Sequence, residues 1–275
     1  MIYSFAKSSK GYSHINSKMP CQDFSALYKD PLRTIITCCD GHGGKIYVRS
    51  NIGSHMASNA VINVFNSITN SFFYGKTTEE LENKIKLLIL CEWNKFVEGI
   101  ISKEPIRKGE VGELTPEQIE TLKKNPIKAY GTTLTGALLY GNKMIVVGIG
   151  DTECLVVRKG ELLRVLESED DPVANVTYSM CQEDAFKYIR VKIINFKEVD
   201  GVILCTDGLT TPYQSYTNFN DSFVKPLVRN ILETNSISHI DSFVDEMASK
   251  LGTGDDVSLA FIIDDKKIKK ADYIQ

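Results

Sequence analysis

The chain of 275 residues carries 32 basic and 35 acidic side chains, a net charge of −3, and 43% of it is hydrophobic. That length supports one large domain or two small ones and buries a core without disulfides, and the absence of any long basic block speaks against nucleic acid as a partner. No apolar run reaches membrane-spanning length, the amino terminus lacks the basic-then-apolar order of a secretory signal, and seven cysteines without C-x-x-C spacing suit a reducing, cytoplasmic setting rather than disulfides or zinc.

In chain order, residues 3–8 read as a strand, the polar stretch through Pro20 as a loop, and 24–28 as a second strand. Lys29-Asp30-Pro31 then turns the chain into a mostly apolar strand over 33–39. That strand runs straight into Asp40-Gly41-His42-Gly43-Gly44, where glycines on both sides of a histidine permit a tight turn. Ile46, Ile52, Met56, Ala60, Val64 and Phe65 recur at helical spacing directly afterwards. Thr77 and Glu80 have the form of a capping box opening a second helix, with Leu81, Ile85, Ile89 and Trp93 on its apolar stripe. Residues 102–128 read as a surface insertion carrying a short, exposed helix capped by Thr115 and Gln118.

From Gly131 the period falls to two. Residues 133–139, 144–149, 154–157 and 162–166 read as four strands of one antiparallel meander, with turns at 140–143 and 158–161. An acid-rich loop over 167–172 follows, then strands over 189–194 and 202–205. Helical patterns over 223–233 and 240–251, the latter stopped by Gly252, precede a last strand over 257–263 and a charged tail over 264–275 expected to fray. The sum is one α+β domain, an antiparallel sheet system covered by helices.

Acids recur at the ends of these strands: Asp40, Asp151, Asp207, Asp255 and Asp256, most with glycine beside them. Singly, each suits a turn. Brought together at one sheet edge they would repel and would need a compensating cation. All-oxygen ligation selects magnesium, calcium or manganese, and two such ions would activate water against a phosphoryl group, with His42 placed to protonate the leaving oxygen.

These residues resemble a family. Asp40-Gly41-His42-Gly43-Gly44, Gly131-Thr132-Thr133, Gly150-Asp151-Thr152, Thr206-Asp207-Gly208 and Gly254-Asp255-Asp256 are similar, in order and spacing, to the motifs of metal-dependent (type 2C) protein serine/threonine phosphatases, and Gln22-Asp23 resembles that family's first acidic motif. The resemblance implies an antiparallel β-sandwich flanked by helices and a binuclear Mn2+ or Mg2+ centre. Asp40 would bridge both ions, the Gly41 carbonyl would ligate one, Asp207 and Asp255 would complete the other, and Asp151 with Asp207 would form a weaker third site. Asp23 would hold metal-bound water and His42 would be the general acid. A flap over 170–187 would lie beside the site, and its Asn175, Val176, Thr177 and Tyr178 either touch substrate or shape the loop. The implied partners are phosphorylated proteins and an opposing serine/threonine kinase, and the chain is expected to act as a monomer.

Three positions depart from the pattern. Lys18 stands where many relatives grip phosphate with arginine, which replaces a bidentate fork by a point charge; Lys18 or His14 would hold the phosphate. Gln22 is neutral where some relatives have glutamate. Thr211 stands where many have an acid, which weighs against the third ion. Two further readings remain beside hydrolysis. One is a catalytically quiet scaffold that binds phosphoproteins. The other takes Gly41-His42-Gly43-Gly44 as a nucleotide-phosphate turn, although it lacks the lysine-serine ending of a P-loop.

Overall fold

The computed structural model describes residues 1–167 and 177–273. Its strands are β1 (Ile2–Ser9), β2 (Phe24–Lys29), β3 (Arg33–Cys39), β4 (Leu134–Tyr140), β5 (Lys143–Ile149), β6 (Glu153–Arg158), β7 (Glu161–Arg164), β8 (Arg190–Asn195), β9 (Gly201–Cys205) and β10 (Val257–Asp264). They pair antiparallel into two sheets, ordered β1-β10-β9-β6-β7 and β2-β3-β4-β5-β8. The helices are α1 (Tyr12–Ser17), α2 (Ser50–Asn66), α3 (Asn70–Phe73), α4 (Thr78–Lys103), α5 (Pro116–Lys124), α6 (Ala185–Tyr188), α7 (Asp207–Thr210), α8 (Tyr216–Phe219), α9 (Lys225–Thr234) and α10 (Ile240–Ala248).

β3 shows how the layers arise. Ile35 and Cys39 pack with Val61 and Phe65 of α2 and with Ile89 and Trp93 of α4. Ile36 and Cys38 point the other way, against Leu204 of β9 and Ile262 of β10. A strand buried on both faces reads as a continuous apolar run, which is why β3 shows no alternation. On the far side, Phe5, Ile203 and Phe261 meet Val228 and Ile231 of α9 and Val244 of α10. The result is the expected α+β class: a sandwich of two antiparallel sheets with helices on both outer faces. All seven cysteines lie among the described residues and are free. Among the described residues no helix is long and apolar enough to cross a membrane.

Local signals hold at both capping boxes. The Thr77 hydroxyl accepts from Glu80 N at 3.2 Å while Glu80 accepts from Thr77 N at 2.7 Å. Thr115 and Gln118 form the same pair at the start of α5, whose Leu122 alone is buried.

Other expectations are corrected. The four-strand meander is two hairpins in different sheets: β4–β5 lies in one and β6–β7 in the other. The chain crosses between sheets at Gly150, where φ is +92° and a β-carbon would come within 2.8 Å of the Tyr178 carbonyl. The helix after Gly44 begins only at Ser50. α10 ends at Ala248, short of Gly252, because the chain turns back to bond Thr253 N to the Met247 carbonyl at 2.8 Å. A short helix, α1, occupies part of the expected loop and buries none of its residues, so no apolar stripe announces it. The tail does not fray over its described length: Tyr273 is buried, donates to Asp200 at 2.9 Å, and its carbonyl accepts from Arg229 at 2.7 Å.

Candidate active site

Strand register gathers the acids. Phe24 pairs with Cys39, so Asp23 and Asp40 stand at the same end of neighbouring strands. Leu134 pairs with Ile149, which puts Thr132 and Thr133 beside the loop that carries Asp151. In the other sheet Cys205 pairs with both Leu259 and Glu153, bringing Asp207 and the Asp255-Asp256 pair to one end. Side chains lock the two ends together. The Thr206 hydroxyl donates to the Asp23 carboxylate at 2.8 Å, and Asp256 accepts from Gln22 N at 2.6 Å.

Asp40 is the centre of this group. Its backbone N–H donates to the Thr133 hydroxyl at 2.9 Å, and its carbonyl accepts from Thr133 N at 2.8 Å and from the Thr132 hydroxyl at 2.9 Å. Burial first, then the charges of Asp23, Asp207, Asp151 and Asp255, hold the Asp40 carboxyl well above the usual carboxylate range. Partial loss of solvent at its carboxyl raises Asp207 as well, helped by Asp151 and Asp255. Asp23 is buried and pushed up to about 7 by loss of solvent, with Asp256 and Asp207 adding to it against the Thr206 hydrogen bond. Asp151, Asp207 and Asp255 are exposed. Thus five acids from both sheets share a pocket of negative potential, and among the described residues none of them is ion-paired with a base.

Among the described residues, no three or more His, Cys, Asp or Glu side chains are arranged as a finished cage for a metal ion. The donor chemistry nevertheless fits a hard cation. The candidate donor atoms are all oxygen, and Asp40 is a carboxyl whose ionised form lacks a counter-charge among the described residues.

His42 is half-buried. Its backbone N–H donates to the Gly131 carbonyl at 3.1 Å, and its ring meets Tyr47 edge-on, 4.9 Å between centroids. Burial lowers the imidazole's pKa, and the charge of Asp151 works against that shift. Two glycines make the turn possible by close approach. A β-carbon on Gly41 would lie 2.6 Å from the Gln22 carbonyl, and one on Gly131 would lie 2.3 Å from the Tyr47 ring and 2.8 Å from that of His42.

The departures resolve differently. The Gln22 side-chain amide donates to Ser50 Oγ at 2.7 Å and to the His42 carbonyl at 3.2 Å, so it pins the start of α2 to the Asp40–Gly44 turn. His14 is taken by Asp256, 2.9 Å away. Lys18 is exposed, caps α1 with φ 58°, and forms no ion pair among the described residues. Thr177 donates to Asp151 at 2.6 Å, whereas Asn175 and Val176, with the rest of 168–176, lie outside the described residues. Sequence reasoning named Asp256 and Thr206 within their motifs but gave neither a role in the site. Alternation could have found the first: next to the start of β10, successive residues point opposite ways, so only one acid of the Asp255-Asp256 pair faces inward.

A family model, Protein phosphatase 2C, matches residues 10–246. Among curated proteins no match is found. Solved structures share the fold. A bacterial serine phosphatase is 14% identical over 96% of this chain and 98% of its own, with a TM-score of 0.60. The catalytic domain of the serine threonine protein phosphatase PstP, in complex with two manganese ions, is 17% identical over 96% and 99%, with a TM-score of 0.58. Serine/threonine phosphatase Stp1 from Staphylococcus aureus is 12% identical over 96% and 95%, with a TM-score of 0.59. The low identities make these likenesses of fold, while the family match covers most of the sequence and includes Asp40, His42, Asp151 and Asp207. The chain belongs to the protein phosphatase 2C family of serine/threonine protein phosphatases.

Proposed function

We propose that this chain removes phosphate from phosphoserine and phosphothreonine in proteins by direct attack of water, at a centre for two divalent cations, manganese or magnesium. One observation carries the reading: Asp40, held by Thr132 and Thr133, faces Asp23, Asp151, Asp207 and Asp255 with no basic partner among the described residues. Asp40 would bridge the ions, the Gly41 carbonyl would ligate one, Asp207 and Asp255 would complete the other, and Asp151 with Asp207 would offer a weaker third position. Bound there, the ions would make solvent more acidic and offset charge on the phosphoryl group.

The chain's own groups supply the rest. Thr206 fixes Asp23, to which we assign the orientation of attacking water and the uptake of its proton. As the new P–O bond forms, the bond to the serine or threonine oxygen breaks, and that oxygen takes a proton from His42. Tyr47 packs against the imidazole while the backbone bond to Gly131 holds the residue itself, and the ring's lowered pKa makes its protonated form a readier donor. Lys18, exposed and unpaired among the described residues, is the cation assigned to the phosphate. Phosphoproteins, an opposing serine/threonine kinase, a cytoplasmic setting and a monomeric chain complete the proposal; the free cysteines support the setting.

The test pairs calorimetric titration of Mn2+ with phosphate release from a phosphothreonine peptide. Release should need the metal and fall by at least about a hundredfold in Asp207→Asn. Turnover undiminished by chelator would overturn the reading. Metal binding without turnover on any phosphopeptide would mark a phosphoprotein-binding scaffold instead.

A further inference from the structure

Beside His42 lies a cleft of about 330 Å³ with walls from three separate stretches: Tyr47, then Asn125 and Lys128, then Thr177 and Glu183. It joins the candidate site at two points. Tyr47 packs against the His42 ring, and Thr177 donates to Asp151. A group seated in the cleft is therefore a neighbour of both the assigned acid and one of the assigned carboxylates.

The wall formed by Asn125 and Lys128 belongs to the stretch between α4 and β4, and it is held firmly. Arg49, at the start of α2, grips Glu110 with two hydrogen bonds of 2.6 and 2.9 Å. The same guanidinium donates to the Glu104 carbonyl and to the Tyr130 hydroxyl, both at 2.6 Å, and Arg49 N donates to the Ala129 carbonyl at 2.9 Å. A bidentate, largely buried clasp of this kind fixes geometry as well as adding energy. Lys128 is thus presented from a rigid turn. It is half-buried, and among the described residues its ammonium makes no hydrogen bond or ion pair. Its charge reaches the buried thiol of Cys181, which also lines the cleft. A half-desolvated cation without a partner among the described residues favours an anion, and an acidic side chain flanking the phosphorylated residue of a substrate would supply a carboxylate for it. Glu183 is exposed at the rim, where solvent weakens its opposing charge.

We propose, on the basis of the phosphatase reading above, that this cleft receives the substrate chain flanking the phosphorylated residue and that Lys128 makes it select an acidic side chain there. Lys128 is a specificity-determining residue in this account and takes no part in the bond changes.

The experiment uses two phosphothreonine peptides that differ only in having Asp or Lys at the flanking positions. The intact chain should prefer the acidic peptide by about fivefold in kcat/KM, the scale of one partly solvated charge pair, with the difference in KM. Lys128→Met should bring the ratio near one, Lys128→Glu should reverse it, and Lys128→Arg should keep it. Equal rates on the two peptides in the unaltered chain, or a preference that survives in Lys128→Met, overturns the proposal. Binding of the same peptides, labelled and followed by fluorescence anisotropy, reads the cleft without turnover. If neither phosphothreonine peptide is hydrolysed with Mn2+ present, the phosphatase reading fails, while an acidic-peptide preference in binding that disappears in Lys128→Met still supports the cleft.

Discussion

The Thr206 hydroxyl donates to Asp23 at 2.8 Å, so a residue leaving β9 in one sheet fixes an acid about to enter β2 in the other. The same oxygen accepts from Ser258 N at 2.9 Å. Thr206→Val keeps the shape and leaves two buried polar groups without this partner, a cost of about 1–3 kcal/mol each. Urea denaturation should show that loss, and turnover on a phosphothreonine peptide should fall with it. A variant matching the parent in both would refute the role given to this contact.

Asp207 is exposed, so its replacement should spare the fold. Asp207→Asn removes charge from the assigned ion site and should cut phosphothreonine turnover by at least about a hundredfold. Calorimetry should show weaker Mn2+ binding, with an unchanged melting temperature in chelator.

His42 is assigned the proton that the leaving oxygen needs. His42→Ala should lower kcat on phosphothreonine by roughly 10²–10⁴-fold. The loss should be much smaller on p-nitrophenyl phosphate, whose phenolate leaves without protonation. Equal losses on both substrates would remove the general-acid role.

The acids also set a pH dependence for the metal-free chain. Folded Asp40 and Asp23 have raised pKa values, so between the ordinary carboxylate range and neutrality the folded state binds more protons than the unfolded state. Stability must then fall as pH rises through that window. Melting in chelator should become easier from pH 5 to pH 7.5, and Asp40→Asn should flatten the slope. Saturating Mn2+ should oppose the decline by mass action.

Arg49 clasps Glu110 and the carbonyls beside it. Arg49→Met leaves Glu110 and Tyr130 without that partner and should destabilise the chain by about 3–5 kcal/mol. Chemical denaturation measures it, and a loss below about 1 kcal/mol would class the pair with ordinary surface bridges.

What the sequence made legible was chiefly local. Capping boxes at Thr77 and Thr115 are written in three-residue spacings, and both form. The Asp40–Gly44 turn is legible because its glycines leave few alternatives to close backbone approach. The partition of strands into sheets was not legible. β5 and β6 are separated by a short turn, and nothing in their composition says that the chain changes layer there rather than folding back. The docked tail was missed because its anchor is one aromatic, Tyr273, amid charges, and its partners Asp200 and Arg229 are distant in sequence. Asp256 was named beside Asp255 without a role of its own because two adjacent acids look alike until a strand's alternation assigns one inward.

Because the chain changes sheets at Gly150, the assigned carboxylates belong to two slabs that meet only through packed side chains and a few bridging hydrogen bonds. Sliding one slab over the other by a fraction of a residue would leave every strand ladder intact and still part Asp40 from Asp207. Catalytic output in this molecule is consequently a gauge of inter-sheet alignment, and substitutions at the interior seam, such as Cys38 or Leu204, are expected to dim it well before they unfold the chain.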